Sequence, residues 1–310
     1  MNNLLKHLDI SYDVLEAIDK DIPVIGMESA TISHNIPYPK NLEMANACID
    51  IIRGNGCVPA TLAVIGGRIK VGLNEEDLEF MARGENIVQM SRRDLPIIVS
   101  KGLNGSTTVA TSIIISRMMG IRMLVTPGIG GVHRNAQQTF DISRDLEELA
   151  SSNICLVCSG PKAILDIGLT LEYLETKGVP VLGYKTDSMP AFFKSNSGYG
   201  LDYRFDDPVE IGKMVKTKWD IGLKGGVLVA NPVANEYALD EKYLDEAIVE
   251  SINKMDKENY RFKDITPILM EVLSQKSDGR IVTSIVESMK SNVKVGSLIA
   301  KELYRMDYNG

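Results

Sequence analysis

Lys162 stands just behind an apolar run, Ile154-Cys155-Leu156-Val157-Cys158, and a break, Ser159-Gly160-Pro161. Ala163-Ile164-Leu165-Asp166-Ile167 follows and reads as a helix, which predicts an amine in a first helical turn beyond a buried strand. The positive end of the helix dipole disfavours a cation there. The same conflict lowers an amine's pKa and frees its lone pair for attack on a carbonyl. The competing reading is a solvated surface lysine paired with Asp166, since most lysines are exposed.

Carboxylates occupy comparable positions. Glu28 ends an apolar run and opens the polar turn Ser29-Ala30-Thr31-Ile32-Ser33-His34. A half-desolvated carboxyl there has a raised pKa and suits acid/base work, although a capping carboxylate would look the same. In Thr139-Phe140-Asp141-Ile142-Ser143-Arg144-Asp145-Leu146, Ser143 fits a helix N-cap and Asp145 falls in the first turn, where acidic residues stabilise helices. Asp141 lies before the cap and lacks that explanation. One carboxylate with waters and a substrate phosphate is a common Mg²⁺ or Mn²⁺ arrangement.

Two glycine-containing segments complete the set. Gly102-Leu103-Asn104-Gly105-Ser106-Thr107-Thr108-Val109 reads as the opening of a helix, either an anion cradle or a plain Ser/Thr cap. Thr126-Pro127-Gly128-Ile129-Gly130-Gly131-Val132-His133-Arg134 follows a strand, and His133 and Arg134 add donors for an anion. Neither segment matches a P-loop or a dinucleotide fingerprint.

The elements that must position these residues are legible as alternation. Apolar runs at 23–27, 61–65, 123–126, 154–158 and 226–230 read as buried strands. Helical patterns at 41–53, 78–83, 107–119, 143–150 and 207–221 lie between many of them. This predicts an α/β layered fold with a largely parallel sheet. Residues 240–308 read as a mostly helical, charged cover with breaks at Pro267 and Asp278-Gly279. No Pro/Gly/Ser-rich linker divides the chain, so residues 1–310 are expected to form one domain. In open sheets of this kind, ligands bind beyond the carboxyl ends of the strands, where all the polar segments fall.

Composition bounds the function. The 310 residues are 44% hydrophobic and 24% charged, with a net charge of -7, which argues against general binding to nucleic acid or anionic membranes. No run is long enough to span a bilayer and no signal peptide is apparent. Cys155 and Cys158 form C-x-x-C inside an apolar run, where residues three apart point to opposite strand faces. They are expected to be buried and reduced, in a cytoplasmic protein.

At the level of whole motifs, the chain resembles a known family. The carriers are Glu28-Ser-Ala-Thr-Ile-Ser-His34, Pro59-Ala-Thr-Leu-Ala-Val-Ile-Gly-Gly67, Ser91-Arg-Arg-Asp-Leu-Pro96, Gly130-Gly-Val-His-Arg134, Thr139-Phe-Asp-Ile-Ser143 and Gly160-Pro-Lys-Ala-Ile-Leu-Asp166. They are similar to those of the pseudouridine-5′-phosphate glycosidases, also called pseudouridylate synthases or the indigoidine synthase A-like family. The resemblance implies a three-layer α/β/α fold with a parallel or mixed central sheet, a homotrimer, and one Mn²⁺ per subunit. The implied reaction is reversible cleavage of pseudouridine 5′-phosphate to uracil and ribose 5-phosphate. That base is joined to its sugar by a C–C bond, so two-carboxylate glycoside hydrolysis fits poorly. An imine at C1′ supplies the electron sink.

By the same resemblance Lys162 matches the nucleophile, Glu28 the proton donor and Asp141 the metal ligand. Val109, Ser143, Arg144 and Asp145 match substrate contacts, and His133 and Asn292 match further active-site positions. The chain departs from the pattern where Gln89 replaces a lysine, Ala30 a threonine, and Asn35 and Asn135 glycines, and where Gly296-Ser297 stands for an Asn-Asn pair. If Asn135 replaces a glycine of positive φ, asparagine is the least costly substitute. The departures raise two alternatives: a different or unphosphorylated C-nucleoside as substrate, or C-glycoside synthesis.

Overall fold

The computed structural model describes residues 2–258, Ile268, Val272 and 279–305. Eleven strands form one sheet: β1 (Leu8–Ile10), β2 (Val24–Met27), β3 (Val58–Ile65), β4 (Arg68–Val71), β5 (Ile87–Met90), β6 (Asn104–Thr107), β7 (Met123–Val125), β8 (Cys155–Cys158), β9 (Val181–Tyr184), β10 (Tyr203–Phe205) and β11 (Val227–Ala230). The helices are α1 (Asn2–Leu5), α2 (Tyr12–Asp19), α3 (Lys40–Gly54), α4 (Glu75–Arg83), α5 (Leu95–Ser100), α6 (Val109–Met119), α7 (Ala136–Thr139), α8 (Arg144–Ala150), α9 (Ile167–Thr176), α10 (Pro208–Asp220), α11 (Glu241–Glu258) and α12 (Arg280–Arg305). A π-helical turn over Thr31–Asn35 follows β2.

The sheet order is β1-β4-β3-β2-β7-β8-β11-β9-β10, with β6 added to β3 and β5 added to β6. Every pairing is parallel except β3 with β4 and β3 with β6. The central strands β2, β7, β8 and β11 are buried throughout, as parallel strands covered on both faces must be.

Alternation along the strands places the helices. An added Cβ at Gly26 would point at Leu124 and at Ser116 of α6, whereas one at Gly296 of α12 would point at Met123, Val125 and Val157. Neighbouring residues of a strand face opposite ways, so α6 and α12 cover opposite faces and the molecule has three α/β/α layers. Along α12, Ile281, Ile285, Met289, Asn292, Val293, Ile299, Ala300 and Leu303 are buried, the three-and-four spacing of a helix face laid on a core.

The strands expected at 23–27, 61–65, 123–126, 154–158 and 226–230 and the helices expected at 41–53, 78–83, 107–119, 143–150 and 207–221 are present to within a few residues. The sequence reading missed the short strands β1, β4, β5, β9 and β10, and it missed β6 because Asn104-Gly105-Ser106-Thr107 has turn chemistry. The segment is a strand because β3 and β5 satisfy its backbone on both sides, and α6 begins only at Val109. Of the breaks expected in the tail, Pro267 and Asp278 lie outside the described residues, and Gly279 has φ 80° just before α12. Among the described residues, no helix is long and apolar enough to cross a membrane.

Candidate active site

The residues that immediately follow β2, β7, β8 and β11 are Glu28, Thr126, Ser159 and Asn231. All four strands run parallel, so these side chains share one edge of the sheet. All four residues are buried, and hydrogen bonds join them. Glu28 Oε1 accepts from Thr31 Oγ1 at 2.8 Å and from Thr126 Oγ1 at 2.9 Å. Asn292 of α12 donates from Nδ2 to the Thr126 carbonyl at 3.0 Å and to Ser159 Oγ at 3.2 Å. Its Oδ1 accepts from Asn231 Nδ2 at 2.8 Å. Asn292, expected at the site, therefore ties three strand ends together, one of them the threonine that holds Glu28.

Burial pushes the Glu28 carboxyl up to about 7, against the pull of its two hydroxyl donors and the Lys162 charge. The π-helical turn returns Thr31 over the carboxyl three residues back, with Ser33 N–H donating to the Ser29 carbonyl at 3.0 Å. A carboxyl that exchanges its proton near neutral pH is suited to general acid catalysis.

Lys162 does not lie in a helix. Its loop is zipped to the glycine-rich loop after β7. Ile129 N–H donates to the Gly160 carbonyl at 3.1 Å, Lys162 N–H to the Ile129 carbonyl at 3.1 Å, and Asp166 N–H to the Val132 carbonyl at 2.9 Å. Pairing with 129–132 satisfies the backbone that a helix would otherwise use. Helix α9 starts at Ile167, where the Asp166 carboxylate caps the Leu169 N–H at 2.9 Å. Contrary to expectation, the amine therefore does not stand in a first helical turn. The lysine is half-buried, and its charge is felt at both Glu28 and His133.

Asp145 is a strut. One carboxylate oxygen accepts from the Ala110 N–H of α6 at 2.8 Å and the other from the Gly130 N–H at 2.9 Å. It thus fixes the start of α6, where Val109 is the buried first residue, against the glycine-rich loop. Ser143 caps α8 through the Asp145 N–H at 3.3 Å, as expected. Any Cβ at Gly130 would lie 2.1 Å from Ser143 Oγ, so this approach of the loop to α8 requires glycine. Arg144 is the first residue of α8.

Asp141 and His133 face each other across the same loop, with Nδ1 3.3 Å from Oδ2. Burial raises the Asp141 carboxyl to about 6, and burial and Lys162 lower the His133 imidazole to about 4. His133 is therefore neutral at pH 7. Asp141 Oδ2 is buried without a hydrogen-bond partner. Such an atom calls for a proton or a cation. The described residues contain no cluster of three or more His, Cys, Asp or Glu fit for a metal. One orphaned carboxylate oxygen nevertheless fits an ion that keeps most of its waters, as Mg²⁺ and Mn²⁺ do.

Asn135 adopts φ 63°, ψ 21°. The expected left-handed backbone is present. Asn135→Val should lower stability by about 1–2 kcal/mol, the cost of that conformation for ordinary residues, with Asn135→Gly close to neutral. Urea midpoints of both variants check this, and equal midpoints would refute it.

The other departures separate. Gln89 is exposed near the end of β5, in register with Ser106, whose hydroxyl meets His34 Nε2 at 3.0 Å. Asn35 ends the π-helical turn, and Ala30 is buried before it. Gly296-Ser297 lies within α12, one helical turn past Asn292. A Cβ at Gly296 would meet Val125 at 2.6 Å, and Ser297 Oγ donates to the Val293 carbonyl at 2.7 Å. This pair seats the helix on the sheet. The cysteines are all free and buried, with the Cys155 and Cys158 thiols pushed to about 12. Sequence reasoning missed Thr31, Ser159 and Asn231 and gave Thr126 no role. The signal was available, since three of these four are the first residue after an apolar run.

The model of the indigoidine synthase A like protein family matches residues 13–302. Pseudouridine-5′-phosphate glycosidase of Caldanaerobacter subterraneus subsp. tengcongensis is 50% identical over 97% of this chain and 98% of its own. That of Petrotoga mobilis is 48% identical over 97% and 98%. Among solved structures, the prealnumycin C-glycosynthase AlnA in complex with ribulose 5-phosphate is 33% identical, with a TM-score of 0.89 over 98% of this chain and 99% of that one. An indigoidine synthase A-like protein of Thermotoga maritima is 34% identical, with a TM-score of 0.86 over 96% and 98%.

Proposed function

Because this chain belongs to the indigoidine synthase A-like family, we propose that it reversibly cleaves pseudouridine 5′-phosphate to uracil and ribose 5-phosphate through an imine on Lys162. The observation that carries the reading is a buried glutamic acid, held by Thr31 and Thr126 and pushed up to about 7 by burial, that feels the charge of the half-buried Lys162.

The proposed sequence uses one carboxyl proton twice. The neutral Lys162 amine adds at C1′ while the ring oxygen leaves and takes the Glu28 proton. The ionised Glu28 then recovers a proton from the adduct nitrogen. Protonation of the base carbon by Glu28 lets the C–C bond pair depart to the base as the nitrogen lone pair forms the C=N bond. Water hydrolyses the imine, releasing the sugar phosphate and restoring amine and acid. Thr31 and Thr126 hold the Glu28 carboxyl in place for both transfers. Asp145, Ser143, Arg144, Val109 and Gln89 are the proposed substrate contacts, with His133 beside the lysine.

Asp141 is the residue that would hold the proposed single Mn²⁺, and a bound ion there would supply positive charge to orient an anionic substrate. The proposed assembly is a homotrimer. Asp141→Asn should weaken Mn²⁺ binding at least roughly tenfold, as even outer-shell losses do. Electron paramagnetic resonance titration reads this without reference to turnover, and unchanged affinity would place the ion elsewhere. Uracil release from pseudouridine 5′-phosphate and from pseudouridine, each with and without Mn²⁺, tests the function itself. A marked preference for the nucleotide is expected, and preference for the nucleoside would show that Gln89 accompanies a changed substrate.

A second reading is C-glycoside synthesis, favoured by the likeness to AlnA. The equilibrium reached from uracil and ribose 5-phosphate distinguishes the two.

A further inference from the structure

Glu148 of α8 is a buried charged group near the site whose chemistry the scheme above leaves unused. Its side chain is 0% exposed. Oε1 receives Arg92 Nη1 at 2.6 Å and Arg144 Nε at 2.9 Å, and Oε2 is buried with no hydrogen bond. The two arginine side chains are 50% and 48% exposed.

A buried carboxylate is costly unless paired. Here one negative charge gathers two positive ones, so the cluster carries a net positive charge at the surface. Arg144 precedes Asp145, the strut to the glycine-rich loop, and Arg92 follows β5, the strand that carries Gln89. Glu148 therefore connects two segments on which substrate contacts are proposed. A guanidinium offers five donors in a planar fork matched to phosphate oxygens.

We propose that Arg92 and Arg144, both held by Glu148, form the clamp for the substrate's phosphate, with Arg92 an anion-binding residue and Glu148 a positioning residue. This rests on the sugar-phosphate reading of the site.

The test compares Arg92→Ala, Arg92→Lys and Glu148→Gln with the parent chain on pseudouridine 5′-phosphate and on pseudouridine. Arg92→Ala is expected to raise KM for the nucleotide by about 10- to 100-fold, the worth of a charge-assisted bond. The loss should fall mainly on KM, and the loss in kcat/KM should be at least several-fold smaller on pseudouridine, which lacks the phosphate. Arg92→Lys recovers part of the loss, and Glu148→Gln raises KM more for the nucleotide than for pseudouridine. An equal loss on both substrates, or an unchanged nucleotide KM, overturns the clamp. Calorimetry with ribose 5-phosphate and with ribose separates this failure from failure of the proposed reaction. If the parent cleaves neither nucleoside but Arg92→Ala still loses ribose 5-phosphate affinity, the clamp stands. If affinity is equal in parent and variant, the clamp falls.

Discussion

Lys162→Ala is expected to lower kcat for C–C cleavage by about 10⁴- to 10⁶-fold, the scale seen when a covalent nucleophile is removed. No neighbouring group replaces the amine, because Glu28 is an acid and His133 a base kept neutral by its surroundings. The fold should survive. The lysine's own side chain is half-buried in a loop whose backbone pairs with residues 129–132, and alanine keeps that pairing. Borohydride reduction in the presence of ribose 5-phosphate should add the sugar's mass to the parent chain at Lys162 and leave the variant unlabelled. A parent that turns over rapidly but is never trapped, or a variant labelled to the same extent, would rule out the imine.

Glu28→Gln is expected to cost about 10²- to 10⁴-fold in kcat, the range for a positioned general acid. The amide oxygen can still accept from Thr31 and Thr126, so geometry is kept and the transferable proton is lost. The pH dependence follows from the carboxyl's shift to about 7. An acid must carry its proton, so kcat of the parent should fall as pH rises through about 7, and this limb should vanish in the variant. Stability moves in the same window. Between the ordinary value of 4.5 and about 7, the folded parent binds more protons than the unfolded chain, so its stability declines as pH rises across that interval. Glutamine has no such penalty. Its advantage should be absent below pH 4.5, grow to at most roughly 3 kcal/mol, and stay level above 7. Urea midpoints at pH 5 and pH 8 check this; a constant difference between parent and variant contradicts a desolvated carboxyl.

The sequence made the sheet edge legible because four central strands are continuous apolar runs, and the polar residue ending each run is where a parallel sheet presents its ligands. Glu28 was found in that way, and Asn231 could have been. Local pattern failed where long-range pairing decided the backbone. Asn104 to Thr107 looks like a turn and is a strand between two others. Ala163 to Ile167 looks like a helix, yet the segment up to Asp166 is a loop held by the glycine-rich segment. Arg144 lies at helical spacing from Glu148, but the role of Glu148 was hidden because its other partner is Arg92. No spacing rule within a helix reveals a partner 56 residues away.

The placement of Asn292 bears on how the protein comes into being. Its amide joins the ends of β7, β8 and β11 and, through Thr126, steadies the acid. A chain emerging from the ribosome can pair those strands before residues 280–305 have been made, since domains fold from the N-terminal side during synthesis. Without α12, however, the strand ends lack the amide that draws them together. Lys162 and Glu28 are thus translated long before Asn292, which reaches Glu28 through Thr126.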